Sequence, residues 1–130
     1  MAKRRYNTVE PGQIVLNALK KSEMLCQHFR SIPYEELRAA DLASSGIQPV
    51  VWVYVEDIDH FVDEGTWSKY SRLFPGGVWT ASAFKGAFGE RLFMPNMLRH
   101  YENHLAWISV MNREARRINF KGIVFTGWSR

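Results

Sequence analysis

The chain has 130 residues, a hydrophobic fraction of 46%, an aromatic fraction of 14% and a formal net charge of +4. This length suits one ordinary domain, and the apolar content excludes a globally disordered chain. Basic residues cluster near both ends without aromatic residues between them on one element. We therefore expect solvated surface charge and no nucleic-acid partner.

Cysteine usage and the leading residues bear on location. Cys26 is the one cysteine, which excludes an intrachain disulfide and fits a reducing compartment. Residues 1–12 are polar, and no apolar segment of the signal-peptide type follows their basic residues. The longest apolar run, 50–55, is far too short to cross a membrane. The sequence predicts a cytoplasmic protein, with a nuclear location also open, and no membrane partner.

The first half of the chain predicts two helices, a strand and a short helix. Apolar spacing predicts an amphipathic helix over 13–30, and a second helix begins near Pro33 and ends before Gly46. The run 50–55 is almost entirely apolar, which is typical of a parallel strand covered on both faces. Thr66 is expected to cap the short helix that follows.

The second half predicts two more strands around a long helix. Strands are expected over 78–83 and 122–126, and Pro95 opens the helix between them. The predicted buried stripe of that helix consists of Met97, Leu98, Tyr101, Leu105, Ile108 and Met111. Alternating strands and helices predict an α/β fold of parallel β/α units, as in part of a TIM (β/α)8 barrel. No linker divides the chain, so we expect one domain.

Aromatic and basic residues at the predicted strand ends are candidates for a ligand site. Trp52 and Tyr54 share one face of the first strand, but aromatic residues dominate protein cores, and core packing is the simpler interpretation. Trp128 follows a strand that ends in Thr-Gly, and its position suits a core residue and a ligand contact equally. Lys85 and Arg130 follow two strand ends, where they could bind a ligand or remain surface charges.

The polar clusters carry a weaker signal. Glu56, Asp57, Asp59 and His60 follow the first strand, but no second group stands at ligand spacing, so loop solvation and helix capping explain them better than a metal. His100 and His104 lie four residues apart and are expected on the helix surface. The sequence predicts neither a metal nor a cofactor.

Three runs together carry a family resemblance. Residues 49–54 (PVVWVY), 79–87 (WTASAFKGA) and 122–130 (GIVFTGWSR) resemble the last three barrel strands of the hexosaminidase D group of glycoside hydrolase family 20. The resemblance runs from about residue 24 to residue 130, whereas 1–23 match no known pattern. The implied domain is a single, partial glycoside hydrolase catalytic domain over 1–130.

The resemblance implies a TIM barrel that removes terminal N-acetylhexosamines, GlcNAc or GalNAc, from glycans or glycoconjugates. In the family, the sugar's own acetamido oxygen attacks the anomeric carbon, so hydrolysis is substrate-assisted and retaining. The proton-donating glutamate and the orienting aspartate belong to a His-x-Gly-x-Asp-Glu motif. That motif is absent here, and Glu56-Asp57 has the reversed order, so no catalytic residue is assigned. The implied sugar-binding residues are Trp52, Tyr54, Trp79, Lys85, Trp128 and Arg130.

Several hypotheses stay open at this point. The third run breaks off at a strand end, so we expect this chain to be a piece of a larger enzyme. The whole enzyme would be active, and it could form a homodimer. This chain alone is expected to be inactive. The alternative is a truncated, non-catalytic product that binds carbohydrate or protein. A third interpretation is an unrelated small α/β domain whose aromatic residues all belong to the core.

Overall fold

The computed structural model describes residues 29–44, 46–89 and 93–128. Within them the helices are α1 (Tyr34–Ala39), α2 (Ile58–Phe61), α3 (Glu64–Leu73) and α4 (Met97–Glu114), and the strands are β1 (Val50–Trp52), β2 (Val78–Lys85) and β3 (Phe120–Gly127). The helix predicted over 13–30 lies outside the described residues except for Phe29 and Arg30, which are helical. No helix in the described part is long and apolar enough to cross a membrane.

The three strands form one parallel sheet in the order β1-β2-β3. Trp52 on β1 is paired with Ala81 on β2, and Ala81 is paired with Val124 on β3. Paired residues of neighbouring strands share a face of the sheet, so these three side chains lie on the same side. Because helical segments connect the parallel strands, the structure confirms the predicted α/β class with parallel β/α units.

The first strand is shorter than the sequence predicts. It ends at Trp52, because helix side chains occupy the carbonyl groups beyond that residue. The oxygen of Val53 accepts hydrogen bonds from Asn103 Nδ2 and Trp107 Nε1, each at 2.9 Å. Asn103 Nδ2 also donates to the oxygen of Val55 at 2.6 Å. The prediction of a strand over 50–55 was therefore wrong for its second half.

The hydrophobic core lies on one face of the sheet. Val51 and Val53 of the first strand segment are buried there together with side chains from α2, α3 and α4. Trp67 and Trp107 are its largest fully buried members. On the opposite face, Val50 is 44% exposed and Val124 is 42% exposed. The described residues therefore bury one face of the sheet much more completely than the other.

Helix α3 has a different cap from the predicted one. Asp63 precedes the helix, and its Oδ1 accepts hydrogen bonds from the Thr66 backbone N at 2.8 Å and from Thr66 Oγ1 at 2.7 Å. These two hydrogen bonds have the largest effect on the pKa of Asp63, and they lower it. Thr66 is thus the partner of the capping residue, and the carboxylate also lies at the favourable end of the helix dipole.

Helix α4 begins where it was predicted to begin, after Pro95, but it presents a different face to the sheet. Its buried residues are His100, Asn103, Trp107, Val110 and Glu114. Five of the six residues in the predicted buried stripe face outward instead, with Met97 65% and Ile108 42% exposed and Leu98, Tyr101 and Leu105 also exposed. The sixth, Met111, is half-buried, and its Sδ accepts a hydrogen bond from Thr80 Oγ1 at 3.3 Å. The hydrogen bonds from Asn103 and Trp107 to the oxygen of Val53, just after β1, fix this rotation. The surface placement expected for His100 was wrong for the same reason.

Candidate functional site

Three of the predicted site residues meet at the carboxyl ends of the strands. The rings of Trp52 and Tyr54 stack with centroids 6.5 Å apart, and the ring of Tyr54 meets that of Trp128 edge-on at 5.2 Å. Trp128 remains 41% exposed. We call these three residues the aromatic cluster. It joins the segments that follow β1 and β3 across the end of β2.

The backbone around Gly86 positions Trp128. The backbone N of Trp128 donates to the oxygen of Lys85 at 3.1 Å. Gly86 has a φ of +85°, and a Cβ added there would lie 2.9 Å from Trp128 Cβ. Glycine is needed on both counts, since its missing side chain permits the positive φ and the close approach. The sequence run Lys-Gly after β2 therefore sets where the exposed indole lies.

The other three predicted site residues are Trp79, Lys85 and Arg130. Trp79 is near the amino end of β2, six residues and about 20 Å of strand from Lys85. Its Nε1 donates to Gln48 Oε1 at 2.9 Å. Lys85 ends β2 close to the aromatic cluster and is exposed. Trp79 shares a face of the sheet with Trp52, whose partner Ala81 lies two residues further along β2. Arg130 lies outside the described residues.

A second group of residues adjoins this end of the sheet, and sequence reasoning missed it. Arg99 forms a bidentate ion pair with Glu56, with Nη2 and Oε2 3.0 Å apart. Its Cζ lies 3.8 Å from the centroid of the Phe88 ring. We call Glu56, Phe88 and Arg99 the arginine clamp. Glu56 and Arg99 are 43 residues apart, so no local pattern in the sequence could have indicated the pair.

The clamp determines the charge state of its carboxylate. Hydrogen bonding from Arg99 is the largest of the effects that lower the pKa of Glu56, to about 2. The same hydrogen bond raises the pKa of Arg99. A general acid needs a raised pKa, near the working pH, so Glu56 is unsuited to donate a proton to a leaving group. Its observed partner is the guanidinium of Arg99.

The remaining acidic residues after β1 have structural partners. Asp57 Oδ1 accepts a hydrogen bond from the His60 backbone N at 3.2 Å and so caps α2. Asp59 Oδ2 accepts from Arg113 Nη1 at 3.0 Å. Among residues 29–44, 46–89 and 93–128, no group of three His, Cys, Asp or Glu side chains could hold a metal ion.

A serine–histidine pair lies on the other face of the sheet. Ser82 Oγ and His104 Nδ1 are hydrogen-bonded at 3.1 Å. Ser82 is fully buried, and it follows Ala81, which faces the aromatic cluster side. A nucleophile must reach its substrate, so this buried serine under α4 is a packing contact between β2 and the helix.

Sequence comparison places these features in a known context. Over 101 residues the chain is 34% identical to Hexosaminidase D from Homo sapiens and 33% identical to Hexosaminidase D from Bos taurus, and each match covers 78% of this chain. The chain resembles Hexosaminidase D. This similarity confirms the resemblance that the three strand-end runs predicted. The match covers 20% of the human relative and 29% of the bovine one, so the chain spans less than a third of either.

Two further comparisons set the limits of the Hexosaminidase D match. No family model matches the chain, and no solved structure matches it. The similarity to Hexosaminidase D thus comes from the match over 101 residues. The aromatic cluster and the arginine clamp are observed in the structure and do not depend on this sequence similarity.

Proposed function

We propose that this chain is part of a TIM-barrel β-N-acetylhexosaminidase of glycoside hydrolase family 20. In this proposal the whole enzyme removes terminal N-acetylhexosamine from glycans or glycoconjugates, and this chain supplies one wall of the sugar pocket. The observation that carries the proposal is the aromatic cluster at the carboxyl ends of a parallel sheet. Barrel enzymes bind their substrates at that end of the strands.

The chemistry of the cluster supports a sugar ligand. Aromatic rings offer flat apolar faces to the C–H side of a pyranose, while an indole N–H or a phenol O–H can bond to hydroxyl groups. Trp128 is 41% exposed, which leaves ring surface for a ligand. Lys85 is exposed at the rim and could bond to sugar hydroxyls. In the proposed pocket Trp52, Tyr54 and Trp128 form the wall, and Trp79 lies on the same face of the sheet, nearer the amino end of β2.

The proposed mechanism uses the acetamido group of the substrate as nucleophile and needs no metal or cofactor. This chain contributes the aromatic wall around that group. General acid catalysis is typically worth about 10²–10⁴ in rate, and the ionised Glu56 cannot supply it. We therefore expect the chain to bind amino sugar without hydrolysing it. The catalytic pair would come from the rest of the enzyme.

A binding titration tests the proposal. Tryptophan fluorescence of the full chain is followed as N-acetylglucosamine is added, with glucose as the ligand that lacks the acetamido group. We expect saturable binding of N-acetylglucosamine, weaker binding of glucose, and at least a tenfold loss in Trp128→Ala, about 1.4 kcal/mol, for one stacking aromatic residue. Phe125→Ala is the matched control, because Phe125 is an exposed aromatic residue of β3 on the opposite face of the sheet, and it should bind like wild type. Equal binding by wild type and Trp128→Ala would refute the sugar-wall assignment.

An activity assay separates the proposal from its alternative. A chromogenic 4-nitrophenyl N-acetyl-β-D-glucosaminide is supplied to the chain and to the intact protein isolated from its source, whose mass is measured. Hydrolysis by a protein much heavier than 15.1 kDa supports the enzyme. Sugar binding without hydrolysis by a natural protein of 15.1 kDa would instead favour a non-catalytic carbohydrate-binding module.

A further inference from the structure

We propose that Arg99 is a positioning residue for the aromatic cluster. Its side chain holds together three segments at the carboxyl end of the sheet: the residues after β1, the residues after β2, and the first turn of α4. It pairs with Glu56 from the first and lies over Phe88 from the second. Its effect on sugar affinity rests on the function proposed above, whereas its effect on the geometry of the cluster does not.

Glu56 connects the clamp to Tyr54. Glu56 follows Tyr54 by two residues, and the intervening carbonyl of Val55 is held by Asn103 at 2.6 Å. Asn103 and Arg99 lie one turn apart on α4. Helix α4 therefore holds the segment after β1 at two consecutive residues, at the backbone oxygen of Val55 and at the side-chain carboxylate of Glu56, and so restrains the chain next to Tyr54.

Phe88 connects the clamp to Trp128 through Gly86. Phe88 follows Gly86 by two residues, and Gly86 lies directly against Trp128. The oxygen of Lys85, one residue earlier, accepts the backbone hydrogen bond of Trp128 at 3.1 Å. The rings of Trp128 and Tyr54 meet at 5.2 Å. Contacts therefore run from Tyr54 through the clamp to Trp128 and back to Tyr54.

The chemistry of arginine suits this position. Its planar guanidinium can form two parallel hydrogen bonds to a carboxylate while its face lies over an aromatic ring, and lysine can do neither in the same way. His100, next to Arg99 and buried, also packs on Phe88, with ring centroids 5.0 Å apart. Phe88 is thus held between two successive residues of α4.

The exposure of the pair separates a positioning role from a stabilising one. The side chain of Arg99 is 40% exposed and that of Glu56 is 34% exposed. Ion pairs this accessible contribute little to global stability. Loss of the clamp should therefore disturb the cluster locally while the chain stays folded, which a spectroscopic experiment can detect.

The test uses the indole N–H resonances of the full chain labelled with ¹⁵N-tryptophan, assigned by Trp→Phe substitution. In Arg99→Met we expect the resonances of Trp52 and Trp128 to shift or broaden, while those of the core residues Trp67 and Trp107 stay in place. Arg99→Lys should act in the same direction, since it keeps the charge but loses the bidentate geometry.

The matched control is Arg113→Met, which removes another bidentate pair from α4. Arg113 binds Asp59, and its side chain is 50% exposed. This variant should leave the Trp52 and Trp128 resonances where they are in wild type. If Arg99→Met does not fold, Arg99→Lys and Phe88→Leu carry the same comparison. Unchanged Trp52 and Trp128 resonances in the folded Arg99 variants would overturn the proposal.

A ligand titration of the same variants separates this inference from the proposed function. If wild type binds N-acetylglucosamine, Arg99→Met should weaken it roughly 2- to 30-fold, the range for residues that act through others. Equal affinity in that case would also overturn the positioning role. If wild type binds no N-acetylglucosamine, the proposed function fails, and the indole resonances still decide the role of Arg99.

Discussion

Asn103 offers the sharpest test of how α4 is held on the sheet. Its side chain is fully buried, and its Nδ2 donates to the oxygens of Val53 and Val55. Leucine has nearly the same shape and size but no donor. Asn103→Leu therefore removes both hydrogen bonds without leaving a cavity, and it isolates the polar contribution from the packing contribution.

The expected loss follows from the partners left behind. Each buried hydrogen bond contributes about 1 kcal/mol net, and a buried acceptor left without a partner costs about 1–3 kcal/mol. Val53 keeps the bond from Trp107, whereas Val55 loses the donor that Asn103 supplied. Asn103 Oδ1 is buried and has no partner among the described residues, so its removal offsets part of the cost. We expect a net loss of about 2 kcal/mol in the free energy of unfolding.

The assay is urea denaturation of the full chain followed by tryptophan fluorescence and circular dichroism. Asn112→Leu is the matched control, since Asn112 is exposed on the same helix and the substitution changes helix propensity equally. The control should change stability by no more than about 0.5 kcal/mol. A 2 kcal/mol loss should lower the melting temperature by about 8 °C. If Asn103→Leu were as stable as Asn112→Leu, these bonds would not hold the helix in place.

Three further substitutions test other contacts. Because the pKa of Glu56 is lowered to about 2 when folded, its stabilising effect is fully present above the ordinary value of 4.5 and is lost as pH falls from 4.5 towards 2. For a pair this exposed, the stability difference between wild type and Glu56→Gln should be at most about 1 kcal/mol near neutral pH. Measured by urea denaturation at several pH values, the difference should shrink across that window, and a constant difference would contradict the pair. Lys69 Nζ donates to three backbone carbonyls between residues 29 and 32, so Lys69→Met should speed tryptic cleavage at Arg30, and an unchanged rate would count against the contact. Gly86→Ala should lower stability by about 1–3 kcal/mol in thermal melts through its positive φ, whereas Gly76→Ala, with open space around the added Cβ, should change it little.

Local patterns were enough to predict several parts of the fold. The order of strands and helices, the parallel sheet and the start of α4 after Pro95 follow from apolar runs, turn residues and helix starts, which act over a few residues. The placement of Trp52, Tyr54 and Trp128 at strand ends is of the same kind. Their assignment to one sugar pocket came from the family resemblance, because the residues alone favoured core packing for Trp52 and Tyr54 and left Trp128 open.

Other predictions failed where distant residues decided the outcome. The apolar stripe from Met97 to Ile108 satisfies helical spacing, yet the helix buries the face that carries Asn103 and Trp107. Trp107 reaches the carbonyl of Val53 across 54 residues of sequence. Spacing alone cannot choose between two candidate faces, because the choice depends on which partners the sheet presents.

The amino-acid sequence by itself therefore determined the class of fold, the strand ends that carry the aromatic residues, and the likeness to Hexosaminidase D. These properties reside in short runs whose physical meaning is local. Only the tertiary structure decided that β1 ends at Trp52, that the indole of Trp79 bonds to Gln48, and that Arg99 contacts both Glu56 and Phe88. Those features depend on hydrogen bonds and ring contacts between residues far apart in the chain, which form only once the sheet and α4 pack together.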